Sequence, residues 1–327
     1  MNRLIDNFGR AHNYLRISVT DRCNLRCVYC MPHEGIAWKK KDQLLTFEEI
    51  IRISRVFAQM GVDKIRLTGG EPLVRKDLPV LIEQLALIDG IKTVAMTTNG
   101  TLLKPVAKQL KEVGLSALNI SLDTFQSQRF NEIARRDDLE TVLDGIQAAL
   151  DTEFDSLKLN MVVMSGVNDD EVMDFVEFAK DRKINVRFIE YMPFKDNLWK
   201  SDKVITFQQM RERIEEKYEL YPLDAEPSAV AKDFGVKDRI GTVSFISSMS
   251  DSFCGTCNRL RLTSDGSIKS CLFYPAETNL RDLLRKGISD QALEEIILET
   301  LALKPEAHPP AEEIAAANNR AMIEIGG

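Results

Sequence analysis

The chain has 327 residues, 44% of them hydrophobic and 28% charged, with a formal net charge of −7. This length and balance allow a sizeable buried core, in one large α/β barrel-like domain with an appendage or in two ordinary domains. The acidic balance speaks against a general nucleic-acid binder, but leaves room for a small anionic substrate held by a local group of Arg and Lys.

Met1 to Tyr14 is polar and mixed in charge, without the apolar stretch or small-residue cleavage site of a signal peptide. No apolar run approaches the roughly 20 residues of a membrane span. We therefore expect a cytoplasmic protein that engages neither membrane nor nucleic acid. In that reducing compartment the six cysteines read as ligands rather than disulfides.

Apolar alternation predicts a first strand over Tyr14 to Val19. Thr46-x-x-Glu49 is a capping box that opens a helix ending near Met60, before Gly61. Lys64 to Thr68 reads as a strand, Leu78 to Ile88 as a helix, Thr93 to Met96 as a strand and Pro105 to Val113 as a helix. The series continues with a strand at Ala117 to Ser121, a helix at Leu139 to Leu150, a strand at Leu157 to Val163, a helix at Asp170 to Asp181 and a strand at Val186 to Ile189. Serial strand–helix units favour a parallel sheet, since parallel strands need crossover connections. The units can close into a partial barrel or lie open as a doubly wound sheet. In both, the active site belongs at the C-terminal ends of the strands.

The pattern changes near Lys200, which divides the chain into 1–200 and 201–327, within about 20 residues. Thr206-x-x-Gln209 caps a helix that ends near Tyr218. Pro222 to Lys237 carries no motif, and Ile240 to Ile246 alternates like an antiparallel strand. Leu260 to Thr263, Asp265-Gly266 and Ser267 to Cys271 read as a hairpin with an Asp-Gly turn. Pro305 to Ala317 is biased toward Ala, Pro and Glu.

The cysteines form two triplets: Cys23-x3-Cys27-x2-Cys30, and Cys254-x2-Cys257 followed after thirteen residues by Cys271. Thiolates suit iron–sulfur clusters, zinc or copper. A cube of four irons usually takes four thiolates, so three leave one iron open to a small molecule. Structural zinc wants four ligands. His33 is a possible fourth for the first triplet, and the second triplet has no nearby His.

Thr20-Asp21-Arg22-Cys23-Asn24-Leu25-Arg26-Cys27-Val28-Tyr29-Cys30-Met31-Pro32 resembles the signature of the radical S-adenosylmethionine superfamily. Gly69-Gly70-Glu71-Pro72, at the end of the second strand, is similar to its second motif. Phe253-Cys254-Gly255-Thr256-Cys257-Asn258-Arg259-Leu260-Arg261-Leu262-Thr263, with Asp265-Gly266, Cys271-Leu272 and the terminal Ile325-Gly326-Gly327, resembles the GTP 3′,8-cyclase family of molybdenum-cofactor biosynthesis. The resemblance runs from Tyr14 to Gly327.

The resemblance implies a partial (β/α)6 TIM-like barrel with a smaller C-terminal α+β extension. It implies one 4Fe–4S cluster on Cys23, Cys27 and Cys30, and a second on Cys254, Cys257 and Cys271. S-adenosylmethionine would meet Tyr29, Gly70, Glu71, Ser121 and Met192, with Tyr29 near the adenine and Glu71 at the methionine amino group. GTP would meet Arg16, Arg66, Thr97, Lys158, Arg259, Leu260 and Arg261. Arg259, Arg261 and the Gly326-Gly327 tail would take part in catalysis. The implied reaction cleaves S-adenosylmethionine reductively, removes the C3′ hydrogen of GTP and joins C3′ to C8. Implied partners are a flavodoxin- or ferredoxin-type electron donor and a downstream cyclic pyranopterin monophosphate synthase, with a homodimer, or a monomer exchanging with it, as the assembly.

The residues agree with a polyanionic substrate. No Walker motif is present, so side chains must hold the phosphates. Arg259 and Arg261 alternate with Leu260 and Leu262, so both point to one face of a strand. Three other functions compete. A peptide-modifying radical enzyme predicts no nucleotide affinity. A redox or iron sensor predicts no turnover, and a zinc-stabilised binding module predicts colourless protein.

Overall fold

The computed structural model describes residues 4–275, 278–317 and 320–326. Six parallel strands form in series: β1 (Tyr14–Ser18), β2 (Lys64–Thr68), β3 (Thr93–Thr98), β4 (Leu115–Ser121), β5 (Ser156–Val163) and β6 (Asn185–Glu190). Helices α1 (Phe47–Gln59), α2 (Leu78–Ala86), α3 (Ala107–Glu112), α4 (Ser127–Ala134), α5 (Leu139–Thr152) and α6 (Val172–Phe178) connect them. The capping box of α1 is in place: Thr46 Oγ1 accepts from Glu49 N at 3.2 Å, and Glu49 Oε2 accepts from Thr46 N at 2.8 Å. The inner stripe of α1 buries Ile50, Ile53, Val56 and Phe57.

The chain after α7 (Phe207–Glu215) extends the same sheet at both ends. Strand β9 (Thr242–Ile246) lies parallel to β6, and β10 (Arg259–Leu262) lies parallel to β1. The parallel run is thus β10-β1-β2-β3-β4-β5-β6-β9, two strands longer than the six expected. Strands β7 (Leu220–Pro222) and β8 (Lys232–Val236) continue antiparallel beyond β9, while β11 (Ser267–Lys269) and β12 (Thr278–Asn279) do so beyond β10. The expectation for 240–246 is corrected in part. β9 is antiparallel to β8 but parallel to β6, because one strand can pair differently on its two edges. The expected hairpin is β10–β11, turning at Gly266 with φ +85°. Helices α8 (Leu280–Arg285), α9 (Asp290–Ala302), α10 (Ala311–Ala316) and α11 (Met322–Ile325) follow.

The sheet curls. On a flat sheet β2 and β6 would stand four strand spacings apart, about 19 Å. Yet Arg187 on β6, pushed down to about 10 first by burial, also feels Arg66 on β2. The motif-free segment at 222–237 helps bring the two ends together. Arg259 Nη2 and Asn258 Nδ2 donate to Ser228 O and Oγ, each at 3.2 Å.

The alternation has an unusual sense. Leu15, Ile17, Ile65, Leu67, Leu159, Phe188, Phe245 and Leu260 face outward, under the helices, in one apolar core. Their neighbours Arg16, Arg66, Lys158, Arg187 and Arg261 face the hollow of the curl. A closed eight-stranded barrel usually fills its interior with bulky branched residues. Here the interior is polar and cationic. Among the described residues no helix is long and apolar enough to cross a membrane.

Candidate active site

The first triplet follows the C-terminal end of β1 and is held against the turn after β2. Gly70 N donates to Thr20 O, and Glu71 N donates to Arg22 O, both at 2.8 Å. The approach leaves no room for side chains on that turn. A Cβ on Gly69 would lie 2.7 Å from Thr20 O, and one on Gly70 would lie 2.3 Å from Arg22 O. The two glycines are therefore what lets the cysteine loop dock. Asn99, just after β3, offers its Nδ2 to Cys23 Sγ at 3.8 Å and to Asn24 Oδ1 at 2.9 Å.

Glu71 is wholly buried. It accepts from Thr98 Oγ1 and Asn99 N, both at 2.7 Å, and from Leu73 N at 3.0 Å. Burial pushes its carboxyl up to about 7, against the pull of those hydrogen bonds. These bonds brace the end of β3 against the turn after β2. Tyr29 Oη donates to Asp123 Oδ2 at 2.8 Å, which fixes the ring beside Ile133, Met164 and Tyr191. Ser121 ends β4 and is half-buried. Met192 is half-buried against the cluster of Phe194, Phe273, Ile314 and Ile325.

The cations expected near the strand ends line the lumen instead, because they occupy first and middle strand positions. Arg16, Arg66 and Arg261 lie in register on β1, β2 and β10, and Tyr14 lies level with Lys64 and Arg259. Lys158 on β5 and Arg187 on β6 complete the set. Arg66 Nε donates to Tyr14 Oη at 2.5 Å, and Arg66 Nη1 donates to Thr97 Oγ1 at 3.3 Å. Burial pushes Arg16 down to about 10, Arg261 down to about 9 and Lys158 down to about 7, with neighbouring guanidinium groups adding to the effect. Burial alone would raise Tyr14, but Arg66, Arg16 and Lys64 overrule it and bring the phenol to about 6. Asp233 on β8 is an acid felt by both Lys158 and Arg187. Buried Arg261 Nη1, Asn119 Oδ1 and Asn160 Oδ1 have no hydrogen-bond partner among the described residues. Such atoms call for a polar guest. The side chain of Leu260 packs into the outer core, since the alternation that turns Arg259 and Arg261 inward turns it away from the lumen.

The second triplet lies at the opposite end. Cys254 and Cys257 precede β10, whose first residue is level with the first residue of β1. Cys271 follows β11, which returns antiparallel to that same end. Burial would raise Cys257, but the charges of Lys304 and Arg259 lower it overall. Lys64, Arg187, Tyr14, Asn119, Asn160 and Lys304 were missed in the sequence. The signal available for Lys64 and Arg187 was their polar phase within otherwise apolar strands.

The C-terminal segment closes the first end. Arg320 Nη1 donates to Asp265 Oδ2 at 3.2 Å, and Ile323 N donates to Cys30 O at 3.4 Å. Ala321 and Ile323 pack with Met31 beside Cys23 and Cys30. Thr68 Oγ1 donates to Gly326 O at 2.8 Å. A Cβ on Gly326, whose φ is +85°, would lie 2.5 Å from Ser18 Cβ. The tail thus enters the mouth of the lumen above Arg16 and Arg66. Gly327, expected to act with Gly326, lies outside the described residues.

Cys23, Cys27 and Cys30 lie close enough to feel one another's charge, and three soft thiol donors so grouped suit an iron–sulfur cube. Burial is the main cause that raises all three thiols, Cys23 to about 11, so the free thiols keep their protons. A bound cationic cluster supplies the charge that displaces them. Among the described residues no group of three or more His, Cys, Asp and Glu side chains is arranged to hold a single metal ion.

Comparisons with known proteins agree with this geometry. Residues 17–179 match the family model of the Radical SAM superfamily, and residues 184–310 match that of Molybdenum Cofactor Synthesis C. The chain is 43% identical over 326 residues to a GTP 3′,8-cyclase of Syntrophomonas wolfei, covering 99% of this chain and 100% of that one. It is 47% identical over 325 residues to the mitochondrial GTP 3′,8-cyclase of Arabidopsis thaliana, covering 99% of this chain and 83% of that one. Identity to human molybdenum cofactor biosynthesis protein 1 is 46% over 323 residues, covering 98% of this chain and about half, 51%, of that longer protein. The fold is similar to Streptococcus suis SuiB bound to S-adenosylmethionine, with a TM-score of 0.62 at 15% identity, covering 96% of this chain and 77% of that one. Superfamily membership implies S-adenosylmethionine and a 4Fe–4S cluster as cofactors. Two motif-bearing ends, one cationic lumen and full-length similarity converge: the chain belongs to the radical S-adenosylmethionine superfamily and, within it, to the GTP 3′,8-cyclase family.

Proposed function

We propose that this chain is a GTP 3′,8-cyclase with two 4Fe–4S clusters, one on each cysteine triplet, and GTP in the lumen between them. The observation that carries the reading is the lumen: Arg16, Lys64, Arg66, Lys158, Arg187, Arg259 and Arg261 converge where a barrel normally packs hydrocarbon. Cations held in a partly dry cavity are worth having only for a polyanion. The named relatives are cyclases of GTP, which is such a polyanion.

Cys23, Cys27 and Cys30 would hold the first cluster, which when bound and reduced would supply the electron for reductive cleavage of S-adenosylmethionine and so the radical that takes the C3′ hydrogen of GTP. The protein's own part is positional. Tyr29, Ser121, Met192, Glu71 and the backbone at Gly70 receive S-adenosylmethionine at the top of the lumen, with Glu71 at its methionine amino group. Arg66, Thr97, Lys158 and their neighbours hold the triphosphate by charge-assisted hydrogen bonds. Arg259 and Arg261, with the backbone of Leu260 between them, add to the phosphate contacts, and a cluster held by Cys254, Cys257 and Cys271 would offer the guanine an open iron. Gly326 reaches in from the mouth and helps exclude water.

We also propose 1–200 as the radical core and 201–327 as the cluster-bearing extension. A flavodoxin- or ferredoxin-type donor would reduce the enzyme, and a cyclic pyranopterin monophosphate synthase would take its product. The working assembly is a homodimer in exchange with the monomer. Six free cysteines suit the cytoplasm, a reducing compartment.

Anaerobic incubation with GTP, S-adenosylmethionine and dithionite tests the reading. The expected products are 5′-deoxyadenosine and a cyclised nucleotide of the same mass as GTP; 5′-deoxyadenosine without nucleotide conversion overturns it. Calorimetry tests the lumen. Arg259→Met or Arg261→Met should raise the GTP dissociation constant about tenfold or more, the loss of a charged hydrogen bond worth roughly 1.5–3 kcal/mol. Unchanged affinity in both variants removes them from the site.

Lys158 adds a pH signature. Burial and the nearby Arg187 hold its ammonium at about 7, so the empty site loses this charge near neutrality. A polyanion favours the protonated form, so GTP binding becomes linked to proton uptake above that point. Affinity should fall more steeply between about pH 6 and pH 8.5 in the wild type than in Lys158→Met. The γ-phosphate titrates alike in both proteins and cancels in the comparison. Identical pH profiles would place Lys158 away from the phosphates.

A further inference from the structure

Lys304 follows α9 and is 4% exposed. Its Nζ donates to Cys257 Sγ at 3.8 Å, to Arg259 O at 3.1 Å and to Ser270 O. One ammonium therefore ties the strand after Cys257 to the residue before Cys271. Among the described residues it is in no ion pair with a carboxylate. Asp6, the nearby acid, is engaged by Arg10 Nε at 2.6 Å. His12, 0% exposed, is pushed down to about 4 by burial and then by Lys304, so it stays neutral and adds no competing charge.

A buried ammonium without a carboxylate is costly, because the group is removed from water with no opposite charge to offset the loss. Cys257 and Cys271, both of which feel its charge, belong to the triplet that is the available source of negative charge. As thiolates on a 4Fe–4S centre with a 2+ core, three ligands leave a net charge of −1, and reduction makes it −2. Arg10 reinforces the arrangement: its Nη1 donates to Cys254 O at 2.7 Å and its Nη2 donates to Pro305 O at 2.7 Å, fixing both the cysteine turn and the segment that carries Lys304.

We propose that Lys304 is the charge-compensating positioning residue of the second cluster, holding Cys257 in place and raising the cluster's reduction potential. Hydrogen bonds to cluster sulfurs and nearby charge are levers by which a protein sets such potentials. The inference rests on the second cluster of the proposed function.

The test uses the full chain with Cys23, Cys27 and Cys30 replaced by alanine, so that one centre remains. Its midpoint potential is read by a redox titration followed by electron paramagnetic resonance, with iron content measured alongside. Lys304→Met should lower the potential so that the ratio of reduced to oxidised centre at a fixed potential falls about tenfold, equivalent to about 59 mV for one electron. Lys304→Arg, which keeps the charge, should restore most of the shift. If Lys304→Met loses its iron, Lys304→Gln provides the same comparison. Loss of iron in both neutral variants with retention in Lys304→Arg also supports the proposal. Equal potentials in Lys304→Met and the parent overturn it, as does loss of iron in all three variants, which would make Lys304 a tie between carbonyls only. A parent protein without iron at the second triplet overturns the two-cluster reading of the enzyme, a distinct outcome.

Discussion

Replacing Cys23, Cys27 or Cys30 by alanine is expected to reduce the formation of 5′-deoxyadenosine to background, whereas replacing Cys254, Cys257 or Cys271 should spare part of it and end the conversion of GTP. The reason is spatial. The first triplet lies beyond the C-terminal ends of the strands and the second before their N-terminal ends, with the cationic lumen between. A ligand change at one end leaves the backbone hydrogen bonds at the other untouched. Iron content should fall from about eight to about four per chain in either set, since each cube holds four irons. Anaerobic assays of 5′-deoxyadenosine and of nucleotide product, run on both sets, check the division. If the two sets lose the same activities, the clusters do not work as proposed.

Gly70→Ala is expected to empty the first site while leaving the fold standing. The added Cβ would sit 2.3 Å from Arg22 O and 2.5 Å from Arg22 C, so the obstacle is backbone rather than a side chain that can turn away. The two flanking backbone hydrogen bonds, from Gly70 N and Glu71 N, hold the loop at that distance. Relief requires the segment at 20–22 to move outward, and Cys23 moves with it. Overpacking of this kind costs about 1–3 kcal/mol, which lowers the melting temperature by no more than several degrees. The iron loss should therefore far exceed the stability loss. Gly255→Ala is the control: it stands beside Cys254, its Cβ would meet nothing within 4 Å, and its φ is not in the left-handed region. Full iron and full cleavage in Gly70→Ala would show that the turn after β2 does not position the cysteine loop.

Several elements were legible in the sequence because their signals are local. Thr46-x-x-Glu49 and Thr206-x-x-Gln209 are capping boxes in the structure, as read. Strand β2 begins and ends where its alternation does. Helix α4 escaped notice because it is short and polar, burying only Phe130, Ile133 and Ala134. Strands β7 and β8 escaped because one has three residues and the other is interrupted by Gly235. In the site, the cysteines, Gly70 and the Arg259/Arg261 pair announce themselves by spacing. Lys64 and Arg187 show only a polar phase within apolar strands, which an exposed strand face shares, and Lys304 looks like an ordinary surface charge until the helix end that carries it is placed in three dimensions.

The sequence by itself determined the six serial strands and which of their residues share a face, because an extended backbone points alternate side chains to opposite sides. It also determined that six thiols come in two groups of three. Only the tertiary structure decided that the charged face turns inward, that β9 and β10 from the far part of the chain lengthen the parallel run, and that the two triplets stand at opposite ends with the tail entering from one of them. Periodicity is a property of neighbours a few residues apart. The curl of the sheet and the choice of inner face depend on pairing between segments more than a hundred residues apart, such as Tyr14 with Arg259, and on helices that cover one face and leave the other for a ligand.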